Sequence, residues 1–241
     1  MEYKQFFKRY ELKYMLTREQ RERITRALSD YMQLDKYGRC EIRNIYFDTP
    51  SYRLIRRSIE KPTYKEKLRI RSYGPALSSS PVFVELKKKY KSVVYKRRVA
   101  MSLSDAEKWI YSGGCPPTDC QITREIDYFR NYYAPLSPTV FLSYEREAYY
   151  SDQYPDFRVT FDDNVIARRE ELLLSSEGYG SPLIDGERSL MEIKCAGGMP
   201  LFMTEILSKE RIYKSSFSKY GEAYRKLIYP NINFKEIFSY A

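Results

Sequence analysis

Histidine is absent from all 241 residues. That excludes a Ser-His-Asp or Cys-His device and the usual imidazole zinc site. Any acid–base or metal chemistry must therefore use carboxylates, lysine or tyrosine, and a carboxylate-bound Mg²⁺ or Mn²⁺ satisfies that restriction. Cysteine is sparse. Cys40, Cys115, Cys120 and Cys195 form no CxxC pair, and their spacing matches neither a zinc site nor a dense disulfide framework, so reduced thiols are expected. No stretch approaches the roughly 20 apolar residues that span a bilayer. Met1 to Gln5 lack the apolar core of a secretory signal. The expected location is the cytoplasm, with attachment to a membrane only through a partner. The chain has no RRM-like motif, no Gly-x-x-Gly clamp and no zinc finger, so nucleic acid is not an expected partner.

What is abundant is positive charge. Lysine and arginine number 42 against 32 acidic residues, a formal net charge of +10, which favours anionic ligands. With 43% hydrophobic residues the composition is globular, not disordered. One domain over residues 1–241 is expected, since single β-rich domains often reach ~200–250 residues and no linker interrupts this chain.

Patterning predicts an α+β chain with mainly antiparallel strands. Tyr10 to Leu16 reads as a strand. Thr17-x-x-Gln20 is a capping box that opens a helix, expected to run to about Leu34. Ile42 to Phe47, Lys65 to Tyr73, Val82 to Lys88 and Val93 to Met101 read as strands, the last two as a hairpin. Ser104 is expected to cap a short helix through Tyr111, and a further helix covers about Gln121 to Tyr133. Strands return at Thr139 to Tyr149, Phe157 to Asp162 and Glu187 to Cys195. Ser175 to Gly186 reads as a mobile loop. Pro200 opens one helix, and Ser216 to Ile228 forms the last.

The positive charges are not scattered. In Tyr64-Lys65-Glu66-Lys67-Leu68-Arg69-Ile70-Arg71 every second residue is basic. On a strand, Lys65, Lys67, Arg69 and Arg71 therefore share one face, with Leu68 and Ile70 on the other. The same period pairs Glu85 with Lys87, Lys96 with Arg98, Tyr144 with Arg146 and Glu192 with Lys194. Such faces either meet solvent or line the inside of a barrel. Ordinary solvent faces interleave both signs, so repetition over several strands favours the inside. Cations with a few carboxylates suit a metal–polyphosphate site, where cations neutralise phosphate and a metal bridges phosphoryl oxygens.

These residues resemble the VTC-domain polyphosphate polymerases, within the triphosphate tunnel metalloenzyme (CYTH-like) superfamily. The resemblance rests on short motifs along nearly the whole chain, in family order. They are Tyr10-Glu11-Leu12-Lys13-Tyr14, Tyr46-Phe47-Asp48-Thr49, Lys67-Leu68-Arg69-Ile70-Arg71, Phe83-Val84-Glu85-Leu86-Lys87 and Lys96-Arg97-Arg98. Tyr144-Glu145-Arg146, Arg158-Val159-Thr160-Phe161-Asp162, Met191-Glu192-Ile193-Lys194 and Ser216-Phe217-Ser218-Lys219-Tyr220 complete them. The resemblance implies an antiparallel eight-stranded β-tunnel with a charged interior and helices packed outside.

It also implies transfer of the γ-phosphate of ATP onto a growing inorganic polyphosphate chain or a pyrophosphate primer, with Mn²⁺ or Mg²⁺ as cofactor. Carried over, Lys13, Arg69, Arg71, Lys87, Lys96, Arg146 and Arg158 are candidate phosphate ligands, with Lys219 closing the tunnel from the last helix. Lys67, Arg98, Tyr144, Lys194 and Ser218 are candidate substrate contacts. Glu192 is the candidate metal ligand and Glu85 a second one. Asp162 is expected to orient Arg158, Asp48 to end a strand, and Tyr46 and Tyr220 to pack. Relatives in eukaryotes work beside a membrane channel, which implies a separate membrane-protein partner. The superfamily's opening Glu-x-Glu-x-Lys reads Arg-x-Glu-x-Lys here, from Arg9, which favours the polymerase branch. The alternatives are a tripolyphosphatase or nucleoside triphosphatase in the same tunnel, and a non-catalytic polyphosphate- or nucleotide-binding module.

Overall fold

The first strand ends where a capping box begins. β1 (Tyr10–Thr17) leads into α1 (Arg18–Leu28); Gln20 N–H donates to Thr17 Oγ1 at 3.3 Å, and Thr17 N–H donates to Gln20 Oε1 at 3.0 Å. The helix stops short of Leu34. Tyr31 and Met32 N–H both turn back onto the Leu28 carbonyl, and β2 (Gln33–Leu34) pairs with Tyr150 and Tyr149. Strand pairing therefore overrides the helical stripe. The computed structural model describes residues 10–232 apart from residue 92. Arg9 and the Met1 to Gln5 segment lie outside the described residues.

The remaining strands are β3 (Cys40–Asp48), β4 (Tyr64–Tyr73), β5 (Pro81–Tyr90), β6 (Val93–Ser102), β7 (Ser137–Tyr150), β8 (Arg158–Arg168), β9 (Ser181–Pro182) and β10 (Arg188–Cys195). The helices are α2 (Arg53–Ile59), α3 (Leu103–Ile110), α4 (Gln121–Tyr132), α5 (Leu201–Lys209) and α6 (Lys219–Ala223), which continues as a π turn over Tyr224–Ile228. Ser102, not Ser104, caps α3, accepting from Asp105 N–H at 3.1 Å. Ser218, not Ser216, caps α6. The class is α+β with antiparallel pairing, and eight of the strands are long.

Two compact units share the chain in interleaved segments. Within the described residues, one takes in 10–41, 144–165 and 184–217, and the other 42–143, 166–183 and 218–232. β7 and β8 contribute to both. In the first unit the order is β1–β10–β8–β7, with β2 on β7. Its apolar face, including Tyr14, Leu16, Val159, Phe161, Met191 and Ile193, packs on Ile24 and Leu28 of α1 and on Phe202, Met203 and Leu207 of α5. In the second unit the order is β7–β3–β4–β5–β6, with β9 on β8. Leu68, Ile70, Val82, Val84 and Leu86 pack on Ala106 and Trp109 of α3 and on Ile126 and Phe129 of α4. Period-two alternation thus buries one face of the sheet in each unit and leaves the other for the charges. Among the described residues β1 and β6 each pair with one strand only, so backbone pairing does not close the sheet into a barrel.

The Ser175–Gly186 region is not the free loop its composition suggests. Arg168 donates to the carbonyls of Glu177 at 3.2 Å and Tyr179 at 2.8 Å, and Arg43 donates to those of Leu174 and Ser176. β9 follows, preceded by Gly180, where a Cβ would sit 2.6 Å from the Ala167 carbonyl oxygen. Arginines satisfy backbone acceptors that a serine-rich loop would otherwise give to water. All four cysteines are free thiols. Among the described residues no helix is long and apolar enough to cross a membrane.

Candidate functional site

The charged face of the second unit is built around one carboxylate. Glu85 on β5 is 1% exposed. Its cross-strand neighbours are Arg69 on β4 and Arg98 on β6. Arg69 reaches Glu85 Oε2 at 2.6 Å, Lys96 reaches Oε1 at 2.6 Å, Arg98 reaches Oε1 at 3.1 Å, and Arg71 lies 3.8 Å from Oε2. Burial alone would raise the Glu85 pKa; Arg69, Arg71 and Lys96 outweigh it and hold the carboxyl well below the usual range. One register position further, Lys67, Lys87 and Lys96 lie side by side across three strands. Like charges directly opposite one another destabilise a sheet. A face that keeps them is suited to an anion.

A buried polar chain leads from this cluster to α6. Arg69 Nη1 donates to Tyr46 Oη at 2.9 Å, and the Tyr46 ring stacks on Tyr220 at 4.7 Å. Tyr220 Oη donates to Asp48 Oδ2 at 2.8 Å. Asp48 also accepts from the N–H groups of Thr49, Leu54 and Ile55. So Tyr46 and Tyr220 do pack, but their hydroxyls also hold charged groups, and Asp48 does more than end a strand. The chain fixes the start of α6, where Ser218 Oγ accepts from Lys67 Nζ at 3.1 Å. Burial raises the Asp48 pKa to about 6 against its four hydrogen bonds.

Tyr220→Phe removes one of those donors. It should cost roughly 1–3 kcal/mol, the usual penalty for a buried acceptor left short of a partner. The bond favours the ionised carboxylate. The loss should therefore be full at pH 8 and smaller below about pH 6, where Asp48 takes up a proton. Denaturant unfolding at pH 8 and pH 5 checks this, and equal losses at both would refute the coupling.

The first unit carries a second cluster. Lys13 on β1 stands opposite Glu192 on β10, which stands opposite Thr160 on β8. Lys13 Nζ is 3.4 Å from Glu192 Oε1 and 3.6 Å from Glu11 Oε1, and it donates to the Phe217 carbonyl at 3.0 Å. Glu192 Oε2 is 3.5 Å from Arg146 Nη2. Arg146 forks onto Asp162, at 2.5 and 2.6 Å, and lies 5.1 Å over the Tyr144 ring. Burial would lower the Arg146 pKa; Asp162, with Tyr144 and Glu192, raises it well above the ordinary guanidinium value. Glu192 is 6% exposed and Asp162 fully buried. The carboxylates of the charged faces are thus buried, while Lys96 and Arg158 beside them keep exposed side chains.

The candidate residues thus fall into two groups. Lys13, Tyr144, Arg146, Arg158, Glu192 and Lys194 belong to the first unit, and Lys67, Arg69, Arg71, Glu85, Lys87, Lys96, Arg98, Ser218 and Lys219 to the second. Asp162 orients Arg146 rather than Arg158; Arg158, 52% exposed at its side chain, reaches Asp35 at 2.8 Å. Glu11 is a residue that sequence reasoning missed as a metal candidate. Its strand parity with Lys13 was readable, but only the register against β10, which sets Glu11 opposite Lys194 and Lys13 opposite Glu192, brings both carboxylates to the Lys13 ammonium. Lys65 shares the basic face, yet its ammonium donates to the Ser58 carbonyl at 3.0 Å.

Among the described residues no three acidic or thiol side chains converge into a metal cage. Glu11 and Glu192 already share one cation, the Lys13 ammonium. Two carboxylates completed by phosphate oxygens and water are a usual environment for a small hard divalent ion, so this donor set fits one. Glu85 does not fit in the same way, because both its oxygens face cations within 3.1 Å.

The VTC domain family model matches residues 8–228. Among curated proteins, none matches the chain. Among solved structures, a candidate adenylate cyclase from Bacillus halodurans is similar in fold, with a TM-score of 0.56 at 17% identity over 91% of this chain and 99% of that one. A candidate adenylyl cyclase from Hippeastrum, with a dominant triphosphatase activity, has a TM-score of 0.52 at 14% identity over 89% of this chain and 94% of its own.

Proposed function

Because this chain belongs to the VTC-domain family, we propose that it is a polyphosphate polymerase that moves the γ-phosphate of ATP onto a growing inorganic polyphosphate chain. The observation that carries this reading is a dense set of strand cations gathered around two buried carboxylates, with no histidine in the chain. In the transfer, an oxygen of the acceptor phosphate bonds to the γ-phosphorus. The bond from that phosphorus to the β–γ bridging oxygen breaks, and ADP leaves with the electron pair.

The acceptor oxygen is already ionised at neutral pH, so no general base is required. The protein's work is positioning and charge neutralisation. Lys67, Lys87 and Lys96 offer a row of point charges, and Arg69, Arg71, Arg98, Arg146 and Arg158 offer planar forks. Lys13, Lys194 and Lys219 add charge, while Tyr144 and Ser218 offer hydroxyl donors. Glu85 is assigned to hold Arg69, Arg71, Lys96 and Arg98 in place rather than to bind metal. Glu192 with Glu11 would hold Mn²⁺ or Mg²⁺, which when bound neutralises phosphoryl oxygens.

A water acceptor would have to lose a proton. Glu192 and Asp162 lie among cations that hold them as ion-pair partners. This favours a phosphate acceptor over hydrolysis. The test incubates the protein with ATP and Mn²⁺, with and without pyrophosphate, and follows polyphosphate and free phosphate. Polyphosphate with matching ADP is the expected result. Free phosphate alone would make the chain a tripolyphosphatase or nucleoside triphosphatase. Binding of ATP or polyphosphate without either product would make it a binding module.

A further inference from the structure

Three arginines stand outside both charged faces. α2 carries Arg53, Arg56 and Arg57 within five residues. Together with Ser51 and Glu60 they line an open surface hollow. A narrow adjoining crevice shares Arg53 and Arg57 and adds Tyr64, Lys65, Glu66 and Tyr133 to its wall. Among the described residues none of the three arginines has an ion-pair partner, in contrast to Arg69, Arg71, Arg98 and Arg146. Three guanidinium groups stand against Glu60 at the rim and Glu66 in the adjoining wall, an excess of positive charge that an entering anion would neutralise.

The arginines are also held in place. Asp48 accepts from the N–H groups of Leu54 and Ile55, both at 2.9 Å, and Thr49 Oγ1 accepts from Arg53 N–H at 3.0 Å. The Arg53 guanidinium lies 5.5 Å from the centre of the Tyr133 ring and 6.0 Å from that of Tyr132. Arg56 donates to the Ser51 carbonyl at 3.4 Å. Tyr52 and Lys61, one on each side of α2, are left-handed at φ 55 and 55, a strained conformation for non-glycine residues that persists where the surroundings fix it. A helix pinned this way loses little freedom when it takes up a ligand.

α2 packs on α6, with the Ile59 side chain 3.9 Å from the place a Gly221 Cβ would occupy. The hollow therefore lies one helix away from Ser218 and Lys67. Leu54 and Ile55 are buried, so α2 offers no apolar anchor of its own to a lipid surface. An open mouth admits a chain that runs through, and arginine forks match its repeating phosphate oxygens. We propose that the arginine hollow on α2 is a second binding site for inorganic polyphosphate, holding the growing chain beyond the row of strand cations. The identity of this ligand rests on the polymerase reading.

The test compares wild type with Arg56→Gln/Arg57→Gln, which leaves Arg53 on its tyrosines, and with the milder Arg57→Gln. Calorimetric titration with tripolyphosphate and with long-chain polyphosphate gives the affinities. Removing two charges, the half-buried Arg56 and the exposed Arg57, that each face a phosphate should weaken long-chain binding about tenfold, with tripolyphosphate affinity unchanged and Arg57→Gln in between. The fall in long-chain affinity with added salt should also become shallower. Unchanged long-chain affinity in the folded variants would overturn the proposal. So would a loss confined to vesicles containing phosphatidylserine. If wild type bound neither length, the polymerase reading itself would fall; if wild type and variants made and bound long chains alike, only the α2 site would.

Discussion

Glu192→Gln should lower metal-dependent turnover by about 10²–10³-fold while the protein stays folded. A metal's share of charge stabilisation in phosphoryl transfer is several kcal/mol, and each 1.36 kcal/mol is tenfold in rate. Glutamine keeps the size of the side chain and can still accept from Lys13 and Arg146. What it lacks is the negative charge that competes for a divalent ion. Arg146 keeps its fork on Asp162, so the cluster is not left with an unpaired guanidinium. Turnover against Mn²⁺ concentration, with circular dichroism as the check on folding, measures this. A folded variant with wild-type turnover would remove the metal assignment from Glu192.

Glu85→Gln should act mainly on stability. Its carboxylate lies within 3.1 Å of Arg69, Lys96 and Arg98, with Arg71 at 3.8 Å. Removing the charge takes away the carboxylate that these four cations share. Breaking a buried pair from one side costs about 3–5 kcal/mol. An added polyanion can supply the missing negative charge, so pyrophosphate should raise the melting temperature of the variant more than that of wild type. The pH dependence has a definite sign. The folded pKa of Glu85 is depressed from 4.5, so its contribution is complete above that value and is lost as pH falls through the folded pKa. The stability gap between variant and wild type should therefore be full at pH 7 and narrow only in strong acid. Equal pyrophosphate shifts in both proteins would mean that the cluster does not meet phosphate.

The alternation in Lys65 to Arg71 was legible because strand side chains have a fixed period of two, which neither packing nor partner can change. The same rule placed Glu85 with Lys87 and Glu192 with Lys194 on shared faces. The capping box at Thr17 was legible because its two hydrogen bonds lie within four residues. The extent of α1 was not. Its end is decided by Gln33 and Leu34 pairing with residues more than 110 positions away. Ser175 to Gly186 looked mobile because the arginines that bind its carbonyls, Arg43 and Arg168, lie outside the segment.

By itself, then, the sequence determined the α+β class, the charged strand faces and the exclusion of imidazole chemistry. All of these follow from residue type and local period. The tertiary structure decided which carboxylate meets which cation: Glu85 with Arg69, Lys96 and Arg98, and Glu192 with Lys13 and Arg146. It also joined Tyr46, Asp48 and Tyr220 into one buried polar chain. Those pairings depend on strand register and on contacts between residues up to 179 positions apart. No local rule encodes register, because a strand shifted by two residues would keep every face and change every partner.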